Sequence, residues 1–129
     1  MRVLVTGASG FAGRWLMREL EAAGHVALPA PRGADEDLWN VDVLRRHLAD
    51  ARPDAVAHLA AVSFGPDAAA DPERAMQTNA AGTAALVEAV AGIDPGICLL
   101  VTSSSEVYGP PDPADLPLRE NAPLRATAP

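Results

Sequence analysis

Gly7, Gly10 and Gly13 stand three residues apart, directly behind the apolar run Val3-Leu4-Val5. The run reads as a buried strand and Phe11 to Ala23 as a helix. A strand, a glycine-rich turn and a helix form the geometry that cradles a pyrophosphate. Gly7 permits a tight turn, Gly10 lets the backbone approach the phosphates, and Gly13 lets the helix pack close to the strand. The first N–H groups of the helix, at Phe11 and Ala12, face the anion with a partial positive charge. A plain strand-to-helix turn is the competing reading. A second chemical signal lies at the end of the next strand, where an acidic residue would bond the adenosine ribose. Here the chain runs Ala30-Pro31-Arg32 with no carboxylate at the tip. Arg32 suits a 2′-phosphate, hence NADP with NAD as the alternative. A solvated loop arginine is the competing reading, and Asp35 and Glu36 stand near enough to reverse the choice. His58 reads as a packed strand histidine before it reads as a base. Cys98, the single cysteine, lies in the apolar run Ile97-Cys98-Leu99-Leu100-Val101 and reads as a buried thiol.

These residues need elements to position them. Strands are expected at Val3–Thr6, His25–Ala30, near Asp37–Leu38, at Asp54–Ala60 and at Ile97–Ser103. The last is apolar enough to be buried on both faces. The first helix places Phe11, Trp15, Leu16, Leu20 and Ala23 on one face, with Gly24 as its C-terminal cap. Asn40 is the expected N-cap of a helix over Val41–Ala51, with Val43, Leu44 and Leu48 inward and Pro53 beyond its end. Ser63–Pro72 reads as a loop. A long helix follows from Pro72 to Ala91, with Met76, Ala80, Ala84, Leu86, Val87 and Val90 as its apolar positions. The alternation predicts an α/β fold with a doubly wound parallel sheet, strand order 3-2-1-4-5. Its ligand edge is the C-terminal end of the strands. From Gly109 the composition changes: six prolines, Pro110 to Pro129, crowd an irregular tail. The expected division is therefore a nucleotide-binding domain over 1–109 and a tail over 110–129.

The net charge of −7 argues against nucleic acid or an anionic membrane as partner. No apolar run approaches the ~20 residues of a membrane span, and no signal peptide is visible. A cytoplasmic location is the expectation. All ten strongly basic residues are arginine; the sequence has no lysine.

The spacing G-x-x-G-x-x-G after Thr6 resembles the extended short-chain dehydrogenase/reductases, the NAD-dependent epimerase/dehydratase family. Other segments in register carry the same resemblance. They are Asp37-Leu38, His58-Leu59-Ala60-Ala61, Asn79-Ala80-Ala81-Gly82-Thr83, Ser103-Ser104-Ser105-Glu106-Val107-Tyr108-Gly109 and Pro117-Leu118-Arg119-Glu120-Asn121-Ala122-Pro123-Leu124. The resemblance implies a Rossmann-type NAD(P)-binding fold and hydride transfer at C4 of a nucleotide sugar. It implies that Asp37 bonds the adenine amino group and that the Leu38 backbone bonds a ring nitrogen. Leu59, Ala60 and Ala61 lie against the cofactor, and Asn79 holds the site's backbone or a water. Ser63 contacts substrate or the nicotinamide ribose. Ser104 bonds the substrate hydroxyl or keto oxygen, and Glu106 shuttles a proton in the dehydratases. The serine-rich wording is shared with reductases of GDP-4-keto-6-deoxymannose, so Glu106 does not separate elimination from reduction. No metal is implied.

The resemblance also implies a catalytic tyrosine with a lysine four residues on. Tyr108 is the only tyrosine, Asp112 stands four residues after it, and there is no lysine. The chain thus reads as the cofactor-binding N-terminal part of such an enzyme, inactive alone. The competing readings are a non-catalytic NAD(P)-binding module and a truncated product. Homodimerisation, or association through surface that a missing part would cover, is expected.

Overall fold

The computed structural model describes residues 1–30 and 40–126. Four parallel strands form one sheet: β1 (Arg2–Thr6), β2 (Val26–Pro29), β3 (Ala55–His58) and β4 (Cys98–Val101), in the order β2-β1-β3-β4. This is the expected order, apart from the strand near Asp37–Leu38, which lies outside the described residues. β1 is central because Val3, Leu4 and Val5 are apolar on both faces and all three are buried. Its register sets Val3 beside Ala27 and Ala55, and Thr6 beside His58.

Helices cover the two faces. On one face α1 (Phe11–Ala22) packs Leu16, Met17 and Leu20 over Val3, Val5 and Ala57. On the other, α2 (Val41–Ala51) and α5 (Gly82–Ile93) pack Leu44, Leu48, Leu86, Ala89 and Val90 over Leu4 and Val56. The ends are fixed by local chemistry. α1 stops in a Schellman turn: Gly24 has φ +78°, and the N–H groups of Gly24 and His25 donate to Glu21 (3.0 Å) and Leu20 (2.9 Å). Asn40 caps α2, its side-chain oxygen accepting from the N–H groups of Asp42 (3.1 Å) and Val43 (3.2 Å). At the other end of α2 the Arg2 guanidinium donates to the Ala51 carbonyl at 2.8 Å, so β1 caps the helix that packs on it.

Four expectations need correction. The α1 face is one: Phe11 is 80% and Trp15 56% exposed, while Gly13 is buried with Leu16, Met17 and Leu20 half-buried around it. Close approach selected the smallest residue, and the largest ones turned outward, where Arg18 stacks over Trp15 at 5.5 Å. Within Ser63–Pro72 the chain forms a short helix, α3 (Gly65–Ala70), started by Pro66 in its first turn. The long helix is α4 (Pro72–Met76), a π-helical turn (Gln77–Ala81) and α5, and it buries Ala75, Thr78, Gly82, Ala85, Leu86, Ala89 and Val90. Met76, Ala80, Ala84 and Val87 face outward. Alanine stands on both the inward (Ala85, Ala89) and the outward (Ala84, Ala91) sides of α5, so the pattern sets the phase only weakly. β4 is not buried on both faces. It pairs only with β3 among the described residues; Leu99 joins the core beneath α5, while Cys98 and Leu100 (57% exposed) lie open. A doubly buried strand needs a helix on each face, and among the described residues α1 packs over β1, β2 and Ala57 of β3 with no β4 residue in its cluster.

Candidate functional site

The C-terminal ends of β1, β3 and β4 converge on one edge of the sheet. At the end of β1, Gly7 adopts φ +67°, and a Cβ there would stand 2.8 Å from the Ala60 nitrogen and the Leu59 carbonyl carbon. Glycine is required on both counts. Gly13 has a different partner from the one expected. A Cβ would overlap the Gly7 carbonyl oxygen and lie 2.7 Å from the Ala8 Cα, so it is the turn, rather than the strand, that lies against the helix here. Gly10 differs again. A Cβ would meet only the Gly7 oxygen, at 3.2 Å, and otherwise enter open space. Gly10 is also the N-cap of α1 and carries no capping side chain. The Gly10 N–H donates to Gly7 (2.9 Å) and the Arg14 N–H to Gly10 (3.1 Å), while those of Phe11, Ala12 and Gly13 find no acceptor among the described residues. Three unpaired donors beside an open face can bind an anion.

The end of β3 is tied to β1 through side chains. Thr6 Oγ1 accepts the N–H groups of Leu59 and Ala60, each at 3.2 Å, and lies 2.7 Å from His58 Nδ1. His58 Nε2 lies 3.1 Å from Thr83 Oγ1, which donates to the Asn79 carbonyl at 2.6 Å. Thr6, His58 and Thr83 thus join β1, β3 and α5 in one chain of hydrogen bonds, buried at Thr6 and His58 and partly open at Thr83. Burial holds His58 below its ordinary pKa of 6.5. It is a packed strand histidine, as expected. The role of Thr6 was missed; a threonine one position before the glycines, in register with a strand histidine, was the available signal.

Asn79 lies in the π-helical turn and grips the loop after β3. Its Oδ1 accepts the Val62 N–H at 2.8 Å and its Nδ2 donates to the Val62 carbonyl at 3.1 Å. Both ends of the amide are engaged, so Asn79 positions backbone. The following residues line an open cleft of about 560 Å³: Ser63, Phe64, Asp67, Asp71 and Arg74, entered past Ala61 and Val62. Ser63 is exposed in it.

At the end of β4, Thr102 places its N–H (3.3 Å) and its hydroxyl (3.1 Å) on the His58 carbonyl. Ser104 then caps a 3-10 turn, Ser105–Tyr108, its oxygen accepting the Glu106 N–H at 3.1 Å. The oxygen is engaged as an acceptor, and among the described residues the hydroxyl proton has no acceptor. Ser104 and Glu106 are exposed, and Tyr108 is half-buried. The proline-rich tail folds back on this turn: the Arg125 N–H donates to Val107 at 2.9 Å. Arg32, Asp37 and Leu38 lie outside the described residues. Among the described residues no cluster of His, Cys, Asp and Glu could hold a metal ion, and no helix is long and apolar enough to cross a membrane.

The family model described as NAD dependent epimerase/dehydratase family matches residues 3–129. GDP-6-deoxy-D-mannose reductase of Pseudomonas aeruginosa is 40% identical over 92% of this chain, a match covering 39% of that protein. The structure of RMD from Pseudomonas aeruginosa complexed with NADPH superposes with a TM-score of 0.82 at 34% identity, covering 99% of this chain and 43% of that one. UDP-glucose 4-epimerase of Thermus thermophilus, in complex with NAD, gives 0.83 at 28% identity, covering 99% and 45%. The chain spans about two-fifths of the length of the curated relatives that it matches.

Proposed function

The chain belongs to the NAD dependent epimerase/dehydratase family, and on that premise we propose that it binds a nicotinamide dinucleotide, NADP with NAD as the alternative. The observation that carries this is the open face at Gly10 beside the unpaired N–H groups of Phe11, Ala12 and Gly13. A diphosphate fits there because, among the described residues, only the Gly7 oxygen at 3.2 Å lies near the place a Cβ would take. The backbone of Leu59, Ala60 and Ala61, with small side chains at the last two, leaves room for the cofactor to lie across the strand ends. Asp37 and Leu38 are the proposed adenine contacts. When bound, the nicotinamide supplies hydride exchange with a sugar carbon. The neighbour complexed with NADPH and the one complexed with NAD support the class of cofactor.

Arg32 is the proposed partner of the 2′-phosphate. Arg32→Ala should weaken NADP⁺ at least ~10-fold more than NAD⁺, in line with loss of a charge-assisted pair. Isothermal titration of both cofactors measures this. Equal losses would remove the 2′-phosphate role.

The proposed substrate class is a nucleotide sugar, held with its sugar near Ser63 and Ser104. The hydroxyl proton of Ser104 can donate to a sugar oxygen, and the Glu106 carboxylate can take or return a proton. The similarity to a GDP-6-deoxy-D-mannose reductase and to UDP-glucose 4-epimerases supports the class. A second reading, a nicotinamide-binding module without turnover, is favoured by the absence of lysine. Under either reading the open strand face at Leu100 should promote self-association. Leu100→Ser should shift the chain toward monomer in sedimentation velocity; an unchanged distribution would clear that face of the role.

A further inference from the structure

The direction of each hydrogen bond around His58 follows from its partners. Thr83 has one hydroxyl proton, and at 2.6 Å from the Asn79 carbonyl that proton is committed, because a carbonyl only accepts. Thr83 Oγ1 must therefore accept from His58, and Nε2 must carry a proton. In a neutral ring Nδ1 is then a lone pair, and the Thr6 hydroxyl donates to it at 2.7 Å. The Thr6 lone pairs are left to receive the N–H groups of Leu59 and Ala60. Every donor in the chain has an acceptor, and no buried side-chain polar atom among the described residues lacks a partner.

We propose that His58, as the neutral Nε2–H tautomer, is a positioning residue that holds the Leu59–Ala60 backbone against Gly7 by orienting the Thr6 hydroxyl. A second proton would undo this. The imidazolium would aim Nδ1–H at Thr6 Oγ1, in competition with the Ala60 N–H and with the Leu59 N–H, which also reaches the Thr6 carbonyl at 3.3 Å, and the Thr6 proton would lose its acceptor. Among the described residues, the groups that face His58 are Thr6 of β1, Val101 and Thr102 of β4, and Thr83 of α5, none of them charged. Nothing there compensates an imidazolium. The unfolded chain binds the proton near pH 6.5 and the folded one only below that. The contribution of His58 to stability is therefore complete above pH 6.5 and is lost as the pH falls from 6.5 through the folded value. The consequence for nucleotide binding rests on the proposed function; the lock itself does not.

The test uses the full chain without nucleotide. Nitrogen NMR of the His58 ring at pH 7.5 should show the Nε2–H tautomer; the Nδ1–H tautomer would overturn the proposal. Amide exchange of Leu59 and Ala60, corrected for intrinsic rates, is then compared in two variants. In His58→Asn the side-chain oxygen can stand where Nδ1 stood and accept from Thr6. In His58→Gln the amide can reach Thr83 but leaves Thr6 without its acceptor. Protection should persist within ~2-fold in the first and fall about tenfold in the second, the scale of one lost neutral hydrogen bond. Equal losses would make His58 merely structural and end the proposal. Acid should loosen these two amides in the natural sequence but not in His58→Asn; equal acid sensitivity would also overturn it. If neither variant folds, the tautomer and the acid response of the natural sequence still decide. Failure of NADP⁺ to bind would leave these readouts standing and would count against the proposed cofactor instead.

Discussion

Gly10→Leu should lose affinity for NADP⁺ by ~100-fold or more while its thermal unfolding stays close to that of the natural sequence. The two halves of this expectation have separate grounds. Gly10 has φ −70° and ψ 176°, an extended conformation open to any residue. Its Cβ direction meets one atom, the Gly7 oxygen at 3.2 Å. As an N-cap without a side-chain hydrogen bond it gives up no cap when replaced, so the stability cost is about 1 kcal/mol or less. A leucine side chain would instead fill the space beside the N–H groups of Phe11, Ala12 and Gly13. Hydrogen bonds to a charged group contribute roughly 1.5–3 kcal/mol each, so losing two of them gives the stated factor. Gly7→Ala and Gly13→Ala should behave in the opposite way. The first forces a Cβ into φ +67° and against the Leu59–Ala60 backbone, at a cost of ~1–2 kcal/mol for the conformation and ~1–3 for the overlap. The second drives a Cβ into the turn itself. Both should lower the melting temperature visibly before any ligand is added. If Gly10→Leu binds normally, the diphosphate is held elsewhere.

The contrast among the three glycines also marks what the sequence could convey. Their spacing announced the turn, and the apolar β1 run announced a central strand, because both depend on neighbours in sequence. The N-cap at Asn40 and the bounds of α2 were legible for the same reason: a cap acts within one turn of helix. The inward faces of α1 and α5 were legible only in part: Leu16, Leu20, Leu86 and Val90 pack inward as expected, whereas Phe11, Trp15 and Val87 turn outward. α1 offered aromatic residues on one side and Gly13 with Leu16, Met17 and Leu20 on the other, and only close contact with the turn decides between them. β4 misled for a related reason. Its composition is that of a covered strand, and composition does not say whether a cover is in place. The roles given to individual site residues rest on resemblance alone, and resemblance does not reach their couplings. Nothing local links Thr6 to His58 or Asn79 to Val62, contacts that span 52 and 17 positions. Parallel register brings the first pair together, and a π-helical turn presents the second.

Turnover is the most exposed expectation. This chain alone should oxidise NADPH with GDP-4-keto-6-deoxymannose at well under ~1 s⁻¹, against an ordinary enzyme value of ~10 s⁻¹. Reduction of a keto sugar needs a proton delivered to the oxygen as hydride arrives at carbon. Ser104 can donate a hydrogen bond, but a serine hydroxyl is too weak an acid to surrender its proton at that moment. Tyr108, the one tyrosine, is half-buried in the 3-10 turn, and the chain has no lysine to stand beside it. Asp112, four residues on, is engaged in capping its own 3-10 turn, its carboxylate accepting the Ala114 N–H at 2.9 Å. A positioned general acid contributes roughly 10²–10⁴-fold, and its absence alone accounts for the expected deficit. Orientation adds to it. Ser63 and Ser104 lie exposed on an open edge, whereas holding reactants in register can be worth ~7–11 kcal/mol of barrier. The assay should run at high protein concentration, with Glu106→Gln beside the natural sequence. A rate near ordinary values that falls in Glu106→Gln would make Glu106 the acid. The same rate in both would mean that a group other than Glu106 supplies the proton, and would sink the inactive reading either way.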